Sequence, residues 1–341
     1  MTPAFPAVGE TAAATPDFVS LTNSLCDAQT LLSALELDLF TALRSSGPAD
    51  AETVRSALGL RGRGVSDWLD LLVLNGVLLR DGDKYRNTPA ADQYLVRGAD
   101  SYIGDVVRLR LFPALTHLTD SLRTGAPYGG EEFMSMVAGL DVLRQFANQM
   151  DHMTDSLMPH LVAAFDGWGR YGSVLDIGGC RGSVVAGILA AHPHLEGHVF
   201  DLPMMAPYLD EKRAERGLDG RLTFHPGDFL TDDLPPADIA IIGHALVNWD
   251  PGRQRALVRK AYDSVRPGGV FLVYDRMLGD APGSTADQSL KVSLSMLVMT
   301  QGGRAYTTDE LREYATGAGF DTVTFRPLGE HDTLAVCHKP A

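Results

Sequence analysis

Four aspartates and a histidine fall at the ends of predicted strands: Asp176, Asp201, Asp228, His244 and Asp275. The first belongs to Ser173–Gly182 (SVLDIGGCRG), an apolar run that ends in Asp176 and passes into a turn with Gly178, Gly179 and Gly182. Helical composition resumes at Ser183, so the local order reads strand, glycine turn, helix. Glycine suits a backbone that takes positive φ or lets a ligand lie against it. The carboxyl ends of strands in an open α/β sheet are where such a ligand is held. A dinucleotide loop needs glycine at its first, third and sixth places. Counted from Gly178, those places hold Gly178, Cys180 and Ser183, and the match fails.

The following strand ends point elsewhere. HVFDL delivers Asp201 and Leu202, and an acid there accepts from a ribose diol while disfavouring a 2′-phosphate. The next run, LTFHPGDF, brings Gly227, Asp228 and Phe229, an acceptor for an adenine amino group beside a ring to stack on it. No lysine follows the glycine turn to grip a triphosphate. A nucleoside without phosphates, held by carboxylates, points to S-adenosylmethionine.

These groups require a sheet. Strands are predicted near 173–178, 198–201, 222–225, 238–246 and 270–275 with helices between, an alternation that makes a parallel sheet covered on both faces. Helices at 286–300 and 308–316 and a closing antiparallel pair at 322–327 and 333–338 follow. Upstream, helix, turn, helix and a hairpin turning at Asp81–Gly82 give a winged-helix arrangement. Its second helix carries Asp67 and Asp70, which suits protein packing rather than DNA. A helix is also predicted over 102–124. The long helix at 141–165 offers Phe146, Met150 and Met153, and the 286–300 helix offers Met296 and Met299, as an adaptable apolar wall for an aromatic acceptor. The expected organisation is a disordered tail at 1–15, a dimerisation domain at 16–100, a helical connection at 101–165 and an α/β cofactor domain at 166–341.

With 341 residues and a formal charge of −14, the chain can build two full cores and repels nucleic acid and anionic membranes. Its three dispersed cysteines and lack of a secretion signal suit the cytoplasm. His192, His194 and His198 have a spacing that could hold a metal but fall in a surface turn, and no metal is expected.

Taken in order, DIGGCRG, FDLP, GDF, LVNWD, RPGG and GGRAYTTDEL resemble the small-molecule O-methyltransferases of the class I fold, of the dimeric caffeate/hydroxyindole and bacterial polyketide-tailoring type. The similarity runs from about Leu31 to Lys339. It implies a Rossmann-like sheet domain and a helical N-terminal dimerisation domain that helps to build the partner's acceptor pocket. It also implies cofactor contacts at Gly178, Asp201, Asp228, Phe229 and, near the adenine, His244. Plant-type members carry a histidine base two residues before the tryptophan of LxNWD; this chain has Val247 there. Of the family's two acidic helpers, Asp275 is retained and the other position is Ala305. Replacement bases are His244, Asp275 and His152. Beside O-methylation, the same residues allow methyl transfer to carbon, on a phenol ring or an α-keto acid. They also allow a tailoring reaction in which the sulfonium is a fixed charge (hydroxylation, decarboxylation or rearrangement), or a ligand-sensing winged-helix regulator.

Overall fold

A computed structural model describes residues 18–128, 140–278 and 286–341. The tail expected at 1–15 lies outside the described residues. The chain divides into two compact units, residues 1–113 and 114–341.

In the first unit, helices Phe18–Glu36, Leu39–Ser46, Ala51–Ala57 and Val65–Leu74 enclose a core that includes Leu39, Phe40, Leu69 and Leu72. Strands β2 (Leu78–Asp81) and β3 (Lys84–Asn87) form the predicted hairpin. The two-residue strand β1 (Ala49–Asp50) adds to β3, giving the order β1-β3-β2. Asp50 also caps the next helix by accepting from Thr53 N at 2.7 Å. The single helix predicted over 102–124 is instead broken into short pieces, with a π-helical turn at Val107–Leu111 and helices at Phe112–Thr116 and Leu118–Thr124. Pro113 accounts for the π-helical turn just ahead of it: it has no N–H to donate back and its ring crowds the preceding turn.

The second unit carries a seven-stranded sheet. Its strands are β4 (Ser173–Ile177), β5 (Glu196–Asp201), β6 (Leu222–Pro226), β7 (Ala237–Gly243), β8 (Val265–Asp275), β9 (Thr322–Leu328) and β10 (Asp332–His338), in the order β6-β5-β4-β7-β8-β10-β9. β4 through β8 pair in parallel, and β10 runs antiparallel to both its neighbours. The order reverses between β4 and β7, the switch point at which such sheets open a crevice. Both faces are covered, because alternate residues feed different cores: Val174, Ile239 and Ile241 on one side, Leu175, Ala240 and Ile242 on the other.

Two features set the elements over the crevice. The long helix Leu140–Ala164 is tied to the glycine turn by Asp151, which pairs with Arg181 at 3.2 Å and Lys212 at 3.3 Å and accepts from Ser183 Oγ. Asn148 adds a bond from Arg181 at 3.0 Å. On the other side, the loop after β7 is held by the fully buried Gln254, whose amide donates to the carbonyls of Leu246 and Trp249 at 3.1 and 2.9 Å. Asp250 caps the helix Pro251–Ser264 that carries Gln254, accepting from Gly252 N and Arg253 N.

Candidate active site

At the end of β4 the chain turns through Gly178, with φ at +74°. A Cβ there would sit 3.0 Å from the Phe229 ring, so the close approach of the two loops depends on glycine. Cys180 is also left-handed, with φ at +53°, and its N–H donates to Asp201 Oδ2 at 2.7 Å. Leu202 N–H donates to Asp201 Oδ1, also at 2.7 Å. The Asp201 carboxylate thus pins both turns, and each oxygen keeps a second lone pair for an incoming donor. Burial pushes its acid up to about 6, against the opposing pull of the Leu202 and Cys180 amides.

Asp176 lies beneath this turn. A Cβ on Gly179 would stand 2.6 Å from its Oδ2, which shows how tightly the turn covers the carboxyl group. It is 2% exposed, and its Oδ2 has no hydrogen-bond partner. Burial, reinforced by the charge of Asp201, pushes its acid up to about 8.

A cavity of about 310 Å³ opens above the turn. It gathers Gly178, Asp201, Leu202, Asp228, Phe229 and His244 from the predicted cofactor residues, and Phe146 and Met150 from the predicted acceptor wall. Asp228 Oδ1 accepts from Leu230 N at 2.8 Å, which fixes the turn that presents Phe229. That ring stands edge-on to Trp249, centroids 5.9 Å apart. Gly227 acts from behind, where a Cβ would meet the Phe200 ring at 2.4 Å. Met296 and Met299 are buried within their helix, and the cavity is lined instead by Thr300 and Gln301 just beyond it. No periodicity marks these two in the sequence, since both lie past the helix end. Asn248 and Trp249, part of the LVNWD motif, are also cavity wall.

The remaining candidates are placed differently. His152 and Met153 line a second, more polar cavity of about 370 Å³ beside the first. Asp275 is 2% exposed and lines neither, with its carboxylate accepting from Arg276 N at 2.9 Å and from Tyr306 OH at 3.3 Å. Val247 is 4% exposed, packed inside rather than facing either cavity. His244 alone among the candidate bases lines both. His198 bonds His225 at 3.1 Å and His194 bonds the Trp168 carbonyl at 3.1 Å. Among the described residues, no group of three or more His, Cys, Asp or Glu is arranged to hold a metal.

S-Adenosylmethionine fits these groups: a strand-end carboxylate to accept from the ribose diol, a ring for the adenine, a glycine floor, and an orphaned buried carboxyl oxygen beneath a site for a cationic ligand. If Phe229 stacks on the adenine, Phe229→Ala removes roughly 1–3 kcal/mol of stacking. Calorimetric titration with S-adenosylhomocysteine is then expected to show binding weakened by roughly 5- to 100-fold; an unchanged affinity would place the adenine elsewhere.

The site can be set beside known proteins. Residues 116–321 match the O-methyltransferase domain family, and residues 19–97 match the O-methyltransferase dimerisation domain. The chain is 39% identical to the tetracenomycin polyketide synthesis 8-O-methyl transferase TcmO of Streptomyces glaucescens, over 95% of this chain and 96% of that one. It is 36% identical to the N,N-dimethyltransferase OxyT of Streptomyces rimosus, over 89% of each. Among solved structures, PigF with SAH superposes with a TM-score of 0.80 at 25% identity, covering 94% of this chain and 98% of that one. With its glycine turn, strand-end aspartates and both units matched in order, the chain belongs to the O-methyltransferase family and is an S-adenosylmethionine-dependent methyltransferase.

Proposed function

We propose that the enzyme methylates a hydroxyl of a small aromatic, polyketide-like acceptor, working as a homodimer in the cytoplasm. What supports this reading is a single cavity lined both by Asp201, Asp228 and Phe229, groups suited to a nucleoside, and by Leu143, Phe146 and Met150, an apolar set suited to a flat acceptor. The 39% identity to an enzyme named for 8-O-methylation of a polyketide favours oxygen as the methyl acceptor. The match of residues 19–97 to a dimerisation domain supports the homodimer.

When bound, the cofactor supplies an already activated methyl group. What falls to the chain is to hold acceptor oxygen, methyl carbon and sulfur in line and to exclude water. Orientation of this kind contributes roughly 7–11 kcal/mol, whereas a general base adds ~10²–10⁴-fold, about 3–5 kcal/mol. Positioning by the aromatic and methionine wall therefore outweighs the loss of the histidine that other members carry where Val247 stands. Incubation with S-adenosylmethionine and hydroxylated anthraquinones or naphthoates is expected to give a product heavier by one methyl, with equimolar S-adenosylhomocysteine. NMR of the product should place the methyl on oxygen. Turnover that leaves the cofactor unconsumed would overturn the proposal. Light scattering should give twice the chain mass.

A further inference from the structure

His244 is the first residue beyond β7, and its backbone is left-handed, with φ at +50°. Such a conformation costs a non-glycine residue on the order of 1–3 kcal/mol and persists where the surroundings enforce it. Here the His244 N–H donates to the Tyr274 carbonyl at 3.0 Å, and the ring stands edge-on to Tyr274 with centroids 5.1 Å apart. Its Nε2 lies 2.6 Å from Oδ1 of Asp332, a residue 88 positions later that opens β10. The imidazole is 17% exposed and the carboxylate 10%. Asp332 lines the second cavity, whereas His244 lines both it and the cavity that carries the cofactor residues. The ring is therefore held at the partition between them.

A carboxylate on Nε2 requires the hydrogen on that nitrogen, which leaves the lone pair of the neutral ring on Nδ1. We propose that His244 and Asp332 form the catalytic dyad of methyl transfer: Asp332 fixes the tautomer and orientation of the ring, and His244 Nδ1 takes the proton of the acceptor hydroxyl. This rests on the methyl-transfer reading above. The acceptor O–H proton passes to Nδ1 while an electron pair of that oxygen forms the bond to the methyl carbon. The pair of the broken carbon–sulfur bond stays on sulfur, and once the products have left the imidazolium loses the Nδ1 proton to water, which restores the Nε2–H tautomer held by Asp332.

The electrostatic surroundings set the pH dependence. Burial opposes charging the ring and Arg276 adds to that opposition, but the Asp332 carboxylate, with a smaller contribution from Asp275, outweighs them and holds the His244 pKa above its ordinary value. From the long helix, His152 and His160 face the second cavity, as do Glu330 and His331 from the β9–β10 turn. The base is the neutral ring, so the rate should rise with pH to a plateau. In Asp332→Asn the dominant raising influence is gone, and the acid limb should move to lower pH.

The test uses the full-length protein with S-adenosylmethionine and 1,8-dihydroxyanthraquinone, 3-hydroxy-2-naphthoate and their ring-hydroxylated relatives as acceptors. In Asp332→Asn the plateau kcat should fall at least tenfold, with the acid limb shifted down and the affinity for S-adenosylhomocysteine within threefold. Histidine nitrogen NMR on the S-adenosylhomocysteine complex should show His244 as the Nε2–H tautomer in the parent and a lowered titration midpoint in the variant. A purely structural Asp332 would lower the melting temperature and leave limb and tautomer in place, which overturns the proposal. If Asp332→Asn does not fold, His244→Asn serves, since asparagine tolerates left-handed backbone. It should cut kcat at least 100-fold with cofactor affinity preserved. Weakened cofactor binding at unchanged kcat would make His244 an adenine contact instead. A shifted NMR titration with an unmoved acid limb sinks the base role but keeps the pairing. A parent enzyme inactive toward every acceptor sinks the methyl-transfer reading itself.

Discussion

Asp201→Ala is expected to weaken S-adenosylhomocysteine binding by roughly 10²–10⁴-fold while the protein stays folded. Two ribose hydroxyls donating to one carboxylate each contribute about 1.5–3 kcal/mol as bonds to a charged group, and each 1.4 kcal/mol is a factor of ten. A second loss comes from the protein itself. The Cys180 and Leu202 amides, both 2.7 Å from this carboxylate, lose their acceptor, and Cys180 keeps a left-handed backbone with nothing to hold it. Asp201→Asn retains one acceptor oxygen and should lose only about 10–100-fold by the same arithmetic. The pH dependence supplies an independent arm. Because burial raises this acid to about 6, the accepting form is depleted below that pH, and affinity in the parent should fall by up to tenfold per unit as pH drops from 6 to 5. Equal affinity in parent and Asp201→Ala by calorimetry would mean the ribose does not lie on Asp201.

Much of this site could be read from the chain, because its parts sit at strand ends. Alternating apolar runs and helices dictate a parallel sheet, and the sheet then brings Asp201 from one segment and Asp228 and Phe229 from another to one edge. What stays hidden is whatever depends on which side chain meets which across the sheet. His244 and Asp332 are 88 residues apart, one just beyond β7 and the other opening β10 with β8 between those strands, so no local pattern announces their bond. Met296 and Met299 have the right spacing for a wall, yet helical periodicity says only that one face is buried, not against what. The π-helical turn ahead of Pro113 is legible in principle, since proline in a helix interior is costly. The orphaned oxygen of Asp176 could not be seen in sequence, because burial of a carboxyl without a partner is a property of packing.

That orphaned oxygen makes the cofactor-free protein's stability depend on pH in a way the parent and Asp176→Asn should not share. The acid ionises near its ordinary value of 3.8 in the unfolded chain and at about 8 in the folded one. Between those values the folded state binds a proton that the unfolded state has lost, so this group's contribution is full at low pH and is lost as pH rises toward 8. The slope is about 1.4 kcal/mol per pH unit and halves as pH reaches 8, so urea unfolding should cost the parent roughly 2 kcal/mol between pH 6 and 8 that Asp176→Asn does not lose. Asp201, Asp275 and His244 titrate in both proteins and largely cancel in the difference. A parent-minus-variant difference that is flat across this range would mean that Asp176 is already ionised and stabilised at pH 6. A buried acid with this liability is favoured only where a cation relieves it, and S-adenosylmethionine brings two, a sulfonium and an ammonium. The cofactor should therefore raise the parent's melting temperature more at pH 8 than at pH 6, and Asp176→Asn, more stable at pH 8 when empty, should gain least from it.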